Sequence, residues 1–431
     1  MKEKNNKYLI LILVLLFLII GLYVGLSKPM IVVTIIGFLL LRTSKHTAGF
    51  FLLMYGGVIG GVVRSLYPFI PLYGLLLNVF GLFLVSDLIK RVLFRNKSSL
   101  IALTFIFLVL GLSYFIGPQT AFSSTKMLDI LQAGMFFLFA YFTLDRSDSF
   151  RAIDMVLLLL FTSVFLISFA ENSYHINPSS FFDFNWFRHG LIAYKYVSIE
   201  NTLVSYQEVG MDATYAFALL LSLNKRPKYL YLLSAVALFL TLVSGARQSL
   251  VACIIVIFLR YAYFNDAKSL KKVLLLFFSF VFLYIVYNLL LSSNIETVTN
   301  TLESGDKERN YIWFLAIKLF SDNPLLGIGL GGFADYYPEN PWPHNIILEL
   351  LCECGLMGLI CFLLITIIYI VKQRIKMKHL THTGMFYFLA LIPMMFRVMV
   401  SADLRLSIAI FCAIFATQGL TYYNAKRNEK L

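Results

Sequence analysis

Apolar runs of about 20 residues follow one another along almost the whole chain, separated by short clusters of lysine and arginine. A helix of that length spans the hydrocarbon core of a bilayer, so the chain's 431 residues count membrane spans rather than soluble domains. Composition agrees: 59% of residues are hydrophobic and only 14% charged, against about 25% charged in soluble domains. The 36 basic and 23 acidic residues leave a net charge of +13. That excess is scattered between apolar runs instead of gathered on one surface, which argues against a nucleic-acid partner. The five cysteines, Cys253, Cys352, Cys354, Cys361 and Cys412, fall in or beside apolar runs, with neither a disulfide framework nor zinc-ligand spacing.

The fold class expected is all-α and polytopic, with about 12 to 14 transmembrane helices. Lys2, Lys4 and Lys7 precede a first run at 8–26 that lacks a small-residue cleavage site, so it reads as a retained span. Further runs lie at 29–41, 48–63, 70–89, 99–116, 126–144, 152–170, 211–223, 229–244, 248–264, 273–291, 346–371, 385–400 and 404–423. The short ones, 29–41 and 211–223, read as tilted or re-entrant pieces. With both termini cytoplasmic, Arg42 and Lys45, the Lys90–Lys97 group, Lys225–Lys228, Lys268–Lys272 and Lys372–Lys378 all fall inside. Roughly two thirds of the basic residues are then cytoplasmic, the positive-inside bias. The chain divides into N-terminal helices (1–170), a first extracytoplasmic loop (171–210), central helices (211–291), a large extracytoplasmic loop (292–345) and C-terminal helices (346–431). Chemistry is expected on the outer side, because only there are the loops long. Gly56, Gly57, Gly60 and Gly61 read as close helix packing.

The second loop is densest in signal. Over 306–320 the pattern predicts an amphipathic interfacial helix with Asp306 as N-cap and Ile312, Trp313, Ala316, Leu319 and Phe320 on one face. Arg309, one turn before Trp313, reaches over the indole or toward an anionic headgroup, or serves only as an anchor. Gly327, Gly329, Gly331 and Gly332 follow a helix rather than a strand, which excludes a nucleotide loop and leaves close approach of backbone to a ligand or another loop. Pro341-Trp342-Pro343-His344-Asn345 sets His344 at the membrane rim, where a neutral imidazole can take a proton from a hydroxyl or be an ordinary interfacial residue. Glu349 and Glu353 share a face of the next helix and, as two like charges, require a cation or water nearby, or are simply favoured there by the helix dipole. Arg247, at the outer turn Ser244-Gly245-Ala246-Arg247, needs an anionic partner or a snorkelling path. Arg397, Asp403 and Arg405 flank the last outer turn, where Asp403 can pair with either arginine. Phe181, Phe182, Phe184, Trp186 and Phe187 give the first loop an interfacial character.

Taken in order, Ser244-Gly245-Ala246-Arg247, Arg309 with Trp313, Asn323-Pro324-Leu325-Leu326-Gly327-Ile328-Gly329, Pro343-His344-Asn345 and Glu353-Cys354-Gly355-Leu356-Met357-Gly358 resemble the O-antigen ligase and O-antigen polymerase superfamily of bacterial envelope polysaccharide assembly. Ala246 and Gln248 depart from the serine and glycine that often flank the family's first arginine. The resemblance implies a metal-independent, cofactor-free glycosyltransferase of the bacterial cytoplasmic (inner) membrane. Its donor would be an undecaprenyl-pyrophosphate-linked oligosaccharide on the outer leaflet, and its acceptor a glycan or lipid hydroxyl. Other polysaccharide-assembly proteins are implied as partners. Arg247 and Arg309 would bind the pyrophosphate leaving group, His344 would activate or orient the acceptor, and Arg397 and Asp403 would line the substrate site. Repeat-unit polymerase for O-antigen or capsule is the first reading; a ligase acting on a lipid A core or protein is the second. A lipid-glycan flippase or transporter, the alternative of another class, requires ionisable residues or broken helices near mid-bilayer.

Overall fold

The structure, a computed structural model, describes residues 28–66, 73–88, 97–146, 151–174, 206–223, 228–262 without 245, 295–374, and positions 389, 391–395, 397–399, 404, 405, 408 and 412. Among these residues the regular structure is helical and no strand occurs, which makes the fold all-α. In chain order the helices are α1 (Lys28–Arg42), α2 (Lys45–Leu66), α3 (Tyr73–Leu84), α4 (Lys97–Ile116), α5 (Ala121–Arg146), α6 (Ala152–Tyr174), α7 (Tyr206–Ser222), α8 (Lys228–Val243), α9 (Arg247–Ala262), α10 (Ile295–Asp322), the single turn α11 (Phe333–Tyr336) and α12 (Ile346–Arg374). Apart from α10 and α11, each coincides with an apolar run read from the sequence. The runs at 8–26 and 273–291 lie outside the described residues, as do most of 385–400 and 404–423. By length and composition only, one described helical stretch, Ile346–Ile367, is long and apolar enough to cross a membrane; Gly74–Leu84, Thr104–Ile116, Ala152–Ile167, Leu230–Leu242 and Gln248–Arg260 are shorter apolar helices.

Around an apolar core, these helices also turn apolar side chains outward. On α4, Ile101, Phe105, Leu108, Leu112 and Phe115 form a helical stripe that faces outward, Phe115 at 72% exposure, while Ile106, Leu110 and Ser113 turn inward. A continuous apolar stripe in contact with water is strongly disfavoured; in contact with acyl chains it is satisfied. Helices α2 and α3 pack through glycines, since a Cβ on Gly81 would lie 3.1 Å from the Gly49 oxygen and one on Gly74 would lie 3.1 Å from Gly57 Cα. The expected packing role therefore holds at Gly56, whose Cβ would collide with Asn78, while Gly57 offers only its backbone to Gly74, and Gly49, Gly74 and Gly81 extend the contact.

Polar contacts gather the helix ends into two groups. At one, Thr43 donates to Asp154 (3.1 Å), Lys45 pairs with Asp87 (3.0 Å) and the Arg151 amide donates to Thr47 (2.9 Å). At the other, the α4–α5 turn meets the loop between α10 and α12. Leu330 N donates to Ser113 O (3.1 Å), and Gly329 lies against Gly117.

Two expectations are corrected here. The helix expected over 306–320 begins at Ile295, so Asp306 sits inside α10 and is not its N-cap. Ile295, Val298 and Leu302, at spacings of three and four, carried that signal in an otherwise polar stretch. The run 346–371 is not one continuous helix: Gly355 interrupts α12 with φ 65° and ψ −171°. A break strands carbonyls before it and amides after it, and within a membrane these must find protein partners. The glycine loop supplies them. Ile328 N donates to Cys352 O (2.8 Å), Gly329 N to Glu353 O (3.0 Å) and Ser113 Oγ to Glu353 O (2.7 Å). In return Leu356 N donates to Pro324 O (2.9 Å) and Met357 N to Leu325 O (3.2 Å). The glycines thus let one backbone approach another loop, the second of the two uses foreseen for them.

Gly329 has φ 92°, and a Cβ there would collide with the Gly117 backbone. Gly329→Ala is expected to destabilise the protein by about 2 to 4 kcal/mol, combining left-handed strain with overpacking. Gly57→Ala, whose Cβ would meet only Asn78 Nδ2 at 4.0 Å, should remain near wild type. Thermal unfolding of both variants in detergent checks the difference.

Candidate functional site

The loop between α11 and α12 is pinned from several sides. The Trp313 indole of α10 donates to Pro343 O (3.1 Å), and Asn340 bonds Glu308, also on α10. Asn345 caps α12 by accepting from Ile347 N (2.9 Å) and Leu348 N (3.2 Å), and its amide donates to Met399 O (3.2 Å). Tyr337 packs on Tyr311 of α10. Desolvation first, then the carboxylates of Glu308 and Glu339, raise its hydroxyl above the ordinary value of 10.0, so it remains a protonated donor at neutral pH.

His344 sits within these restraints with a left-handed backbone, φ 56°. That conformation costs a non-glycine residue about 1 to 3 kcal/mol and persists only where the surroundings over-determine it, a pattern common at functional sites. The Trp342 indole N–H donates to His344 Nδ1 at 3.0 Å, and Nε2 faces Asn340 Oδ1 at 3.5 Å. An indole nitrogen can only donate, so Nδ1 is the acceptor and the neutral ring carries its proton on Nε2. Arg405 lies over the Trp342 ring (5.2 Å) and the Phe122 ring (5.8 Å) and pairs with Asp129 (3.4 Å). A chain of contacts thus runs from Asp129 on α5 through Arg405 and Trp342 to His344.

Directly beneath this loop Lys126 of α5 is fully buried, its Nζ 2.6 Å from Glu349 Oε1 and 2.8 Å from both Glu353 oxygens. All three side chains are 0% exposed. The cation that Glu349 and Glu353 require is therefore Lys126, more than 220 residues away in the chain. Sequence reasoning placed Lys126 at the edge of a span and missed its role. The available signal was an ionisable residue beginning an apolar run, in a chain with an acidic pair needing a partner.

A second polar group forms where α7 meets the 244–249 turn. Arg397 pairs with Glu208 (3.2 Å), and Asp212, one turn further along α7, is buried and bonded by Tyr55. A Cβ on Gly210, between those two acids, would lie 2.6 Å from Ser244 Oγ and 2.8 Å from Ala246 Cβ. Arg247 opens α9 beside them, although its side chain lies outside the described residues, as does Asp403. Neither Glu208 nor Asp212 was singled out from sequence. The Met399 carbonyl held by Asn345 is two residues from Arg397, so one segment touches both groups.

Helix α10 departs from the expected face. Ile312, Ala316 and Leu319 are buried against Phe333 and Cys352, whereas Trp313 is partly exposed and occupied with Pro343. Phe314 and Ile317 point away from the protein, Phe314 at 66% exposure, and Tyr311 is half exposed beside Tyr337. Phe314 and Ile317, and not Ile312, are the exposed apolar side chains at which lipid contact is expected. A cysteine label at Phe314 or Ile317 in vesicles is expected to react with lipid-soluble reagents faster than with water-soluble ones, whereas equal reactivity would place α10 clear of the bilayer.

Of the residues singled out from sequence, the structure joins His344 to Arg405 through Trp342, places Arg309 one turn before Trp313 on the helix that holds the His344 loop, and sets Arg397 on Glu208. With this geometry in hand, comparison with known proteins gives one family match, over residues 229–363, to the family described as O-antigen ligase. No curated protein matches the chain.

Proposed function

We propose that this chain, which carries an O-antigen ligase domain, is a membrane glycosyltransferase that moves a glycan from a polyisoprenoid-pyrophosphate carrier to an acceptor hydroxyl on the outer side of the bacterial inner membrane. The observation that carries the reading is that the matched domain holds His344 in a strained, multiply anchored loop, with Arg405 over its Trp342 partner and Arg309 on the helix that pins the loop. Transfer needs a group to position the acceptor and cationic groups to stabilise the departing pyrophosphate. His344, with Nδ1 occupied by Trp342, carries its proton on Nε2 in a long contact with Asn340 Oδ1, and exchanging that contact for a hydroxyl suits it to orienting the acceptor. Arg247 and Arg309 receive the pyrophosphate, because forked guanidinium donors match its oxygens. Arg397 and Asp403 are assigned to the glycan part of the substrate site, and Arg397 is held by Glu208.

Ionisable groups and a broken helix were the marks of the transporter alternative, and both occur. Here the break at Gly355 is closed by the chain's own loop, and the buried carboxylates hold Lys126. Both are thus matched by the chain's own groups, and this favours the enzyme.

Within this chemistry we take repeat-unit polymerase as the reading. Deleting the gene should then leave single repeats on the final acceptor, whereas full-length chains stranded on the carrier would make the protein a ligase. In purified membranes Arg309→Ala is expected to lower transfer by about 10²- to 10³-fold at matched protein level, with Arg309→Lys recovering only part of it. Unchanged transfer by Arg309→Ala would remove it from the pyrophosphate site.

A further inference from the structure

We infer that Lys126 is a positioning residue for His344, aiming through Glu349 and Glu353 the short helix that carries the His344 loop. The inference rests on the reading of His344 as the group that orients the acceptor. Residues Ile346–Cys354 are separated from the rest of α12 by the non-helical Gly355, so their direction is not inherited from the spanning part of the helix. Apolar packing of Cys352 on α10 seats the segment, and two sets of directional contacts orient it. Backbone bonds to the glycine loop and Ser113 hold the far end at Cys352 and Glu353. Lys126 grips the near end one turn after the Asn345 cap, and the far end again at Glu353.

The Lys126 contacts tie this segment to α5. That helix also carries Phe122 and Asp129, the two groups that seat Arg405 beside Trp342. Lys126 lies between them, four residues after Phe122 and three before Asp129. One helix therefore sets both the direction of the segment beneath His344 and the support of the indole that fixes its tautomer. A buried ion cluster is weak as a stabiliser compared with an apolar one of equal volume, but its bonds specify direction, which apolar contacts do not.

The test is a double-mutant cycle on the full chain in membranes, using a lipid-pyrophosphate glycan donor. The variant Lys126→Met, Glu349→Met, Glu353→Met replaces the cluster with side chains of similar volume and no charge. It is expected to accumulate and to keep the wild-type KM for the donor, while turnover falls about 100-fold, the loss typical of a misplaced reacting group. Combined with His344→Ala, it should add no further loss, because the cluster acts through His344. Wild-type turnover in the triple variant, or losses that multiply when combined with His344→Ala, would overturn the inference and leave the role of His344 standing. Wild-type turnover in His344→Ala alone would overturn both. If the triple variant does not accumulate, the same cycle is run with Glu349→Gln, which keeps Lys126 paired with Glu353; a non-additive loss supports the inference and a multiplicative one defeats it.

Discussion

Replacing Lys126 alone with methionine is expected to remove most of the folded protein from the membrane, because it leaves Glu349 and Glu353 together at zero exposure without their ammonium. Removing one partner of a buried ionic group costs about 3 to 5 kcal/mol, a large fraction of the stability of an ordinary domain. The cost comes from stranded charge and not from lost packing, since methionine fills nearly the same volume as lysine. Replacing both glutamates by methionine in the same chain should therefore restore abundance. The measurement is the folded fraction in detergent by size exclusion and thermal unfolding. A Lys126→Met protein as abundant and heat-resistant as wild type would mean that the carboxylates do not need this cation.

His344→Ala should leave the fold intact and reduce glycan transfer per folded molecule by at least about 100-fold, the effect of losing an orienting contact. If the imidazole instead takes the acceptor proton, the loss extends toward about 10⁴-fold. Trp342 separates the two roles. Its indole holds Nδ1 as an acceptor, so Trp342→Phe releases the tautomer and should reproduce much of the loss if His344 orients through Nε2–H. A base would gain a free lone pair from the same change and keep its activity. Transfer near wild type in His344→Ala would exclude both roles. Alanine at 344 must also bear the left-handed backbone, so His344→Gly, which relieves that strain, is the control for folding.

Much was legible in the sequence because it depends on local order. Ten apolar runs became helices where they were drawn, since a run of that length and composition has few other ways to satisfy its backbone in lipid. The ordered motifs from Ser244 to Gly358 pointed to the family that the 229–363 match supports. The need of Glu349 and Glu353 for a cation was likewise visible, as was the placing of His344 beside a helix start. Local pattern failed where a polar stretch prolonged a helix, in α10, and where one glycine broke another, in α12.

What only the tertiary structure decided are the pairings between distant segments. That Lys126 serves Glu349 and Glu353, Glu208 serves Arg397 and Asp129 serves Arg405 follows from packing across helices, which no spacing along the chain encodes. The same holds for Gly329 against Gly117 and for the tautomer of His344, set by a neighbour whose ring is itself held under Arg405. By itself the sequence determined a chain of apolar helices and the ordered motifs that the family match supports, because hydropathy and motif order are properties of the chain. The partner of each charge was decided by the fold, because charge in an apolar interior must be matched in three dimensions.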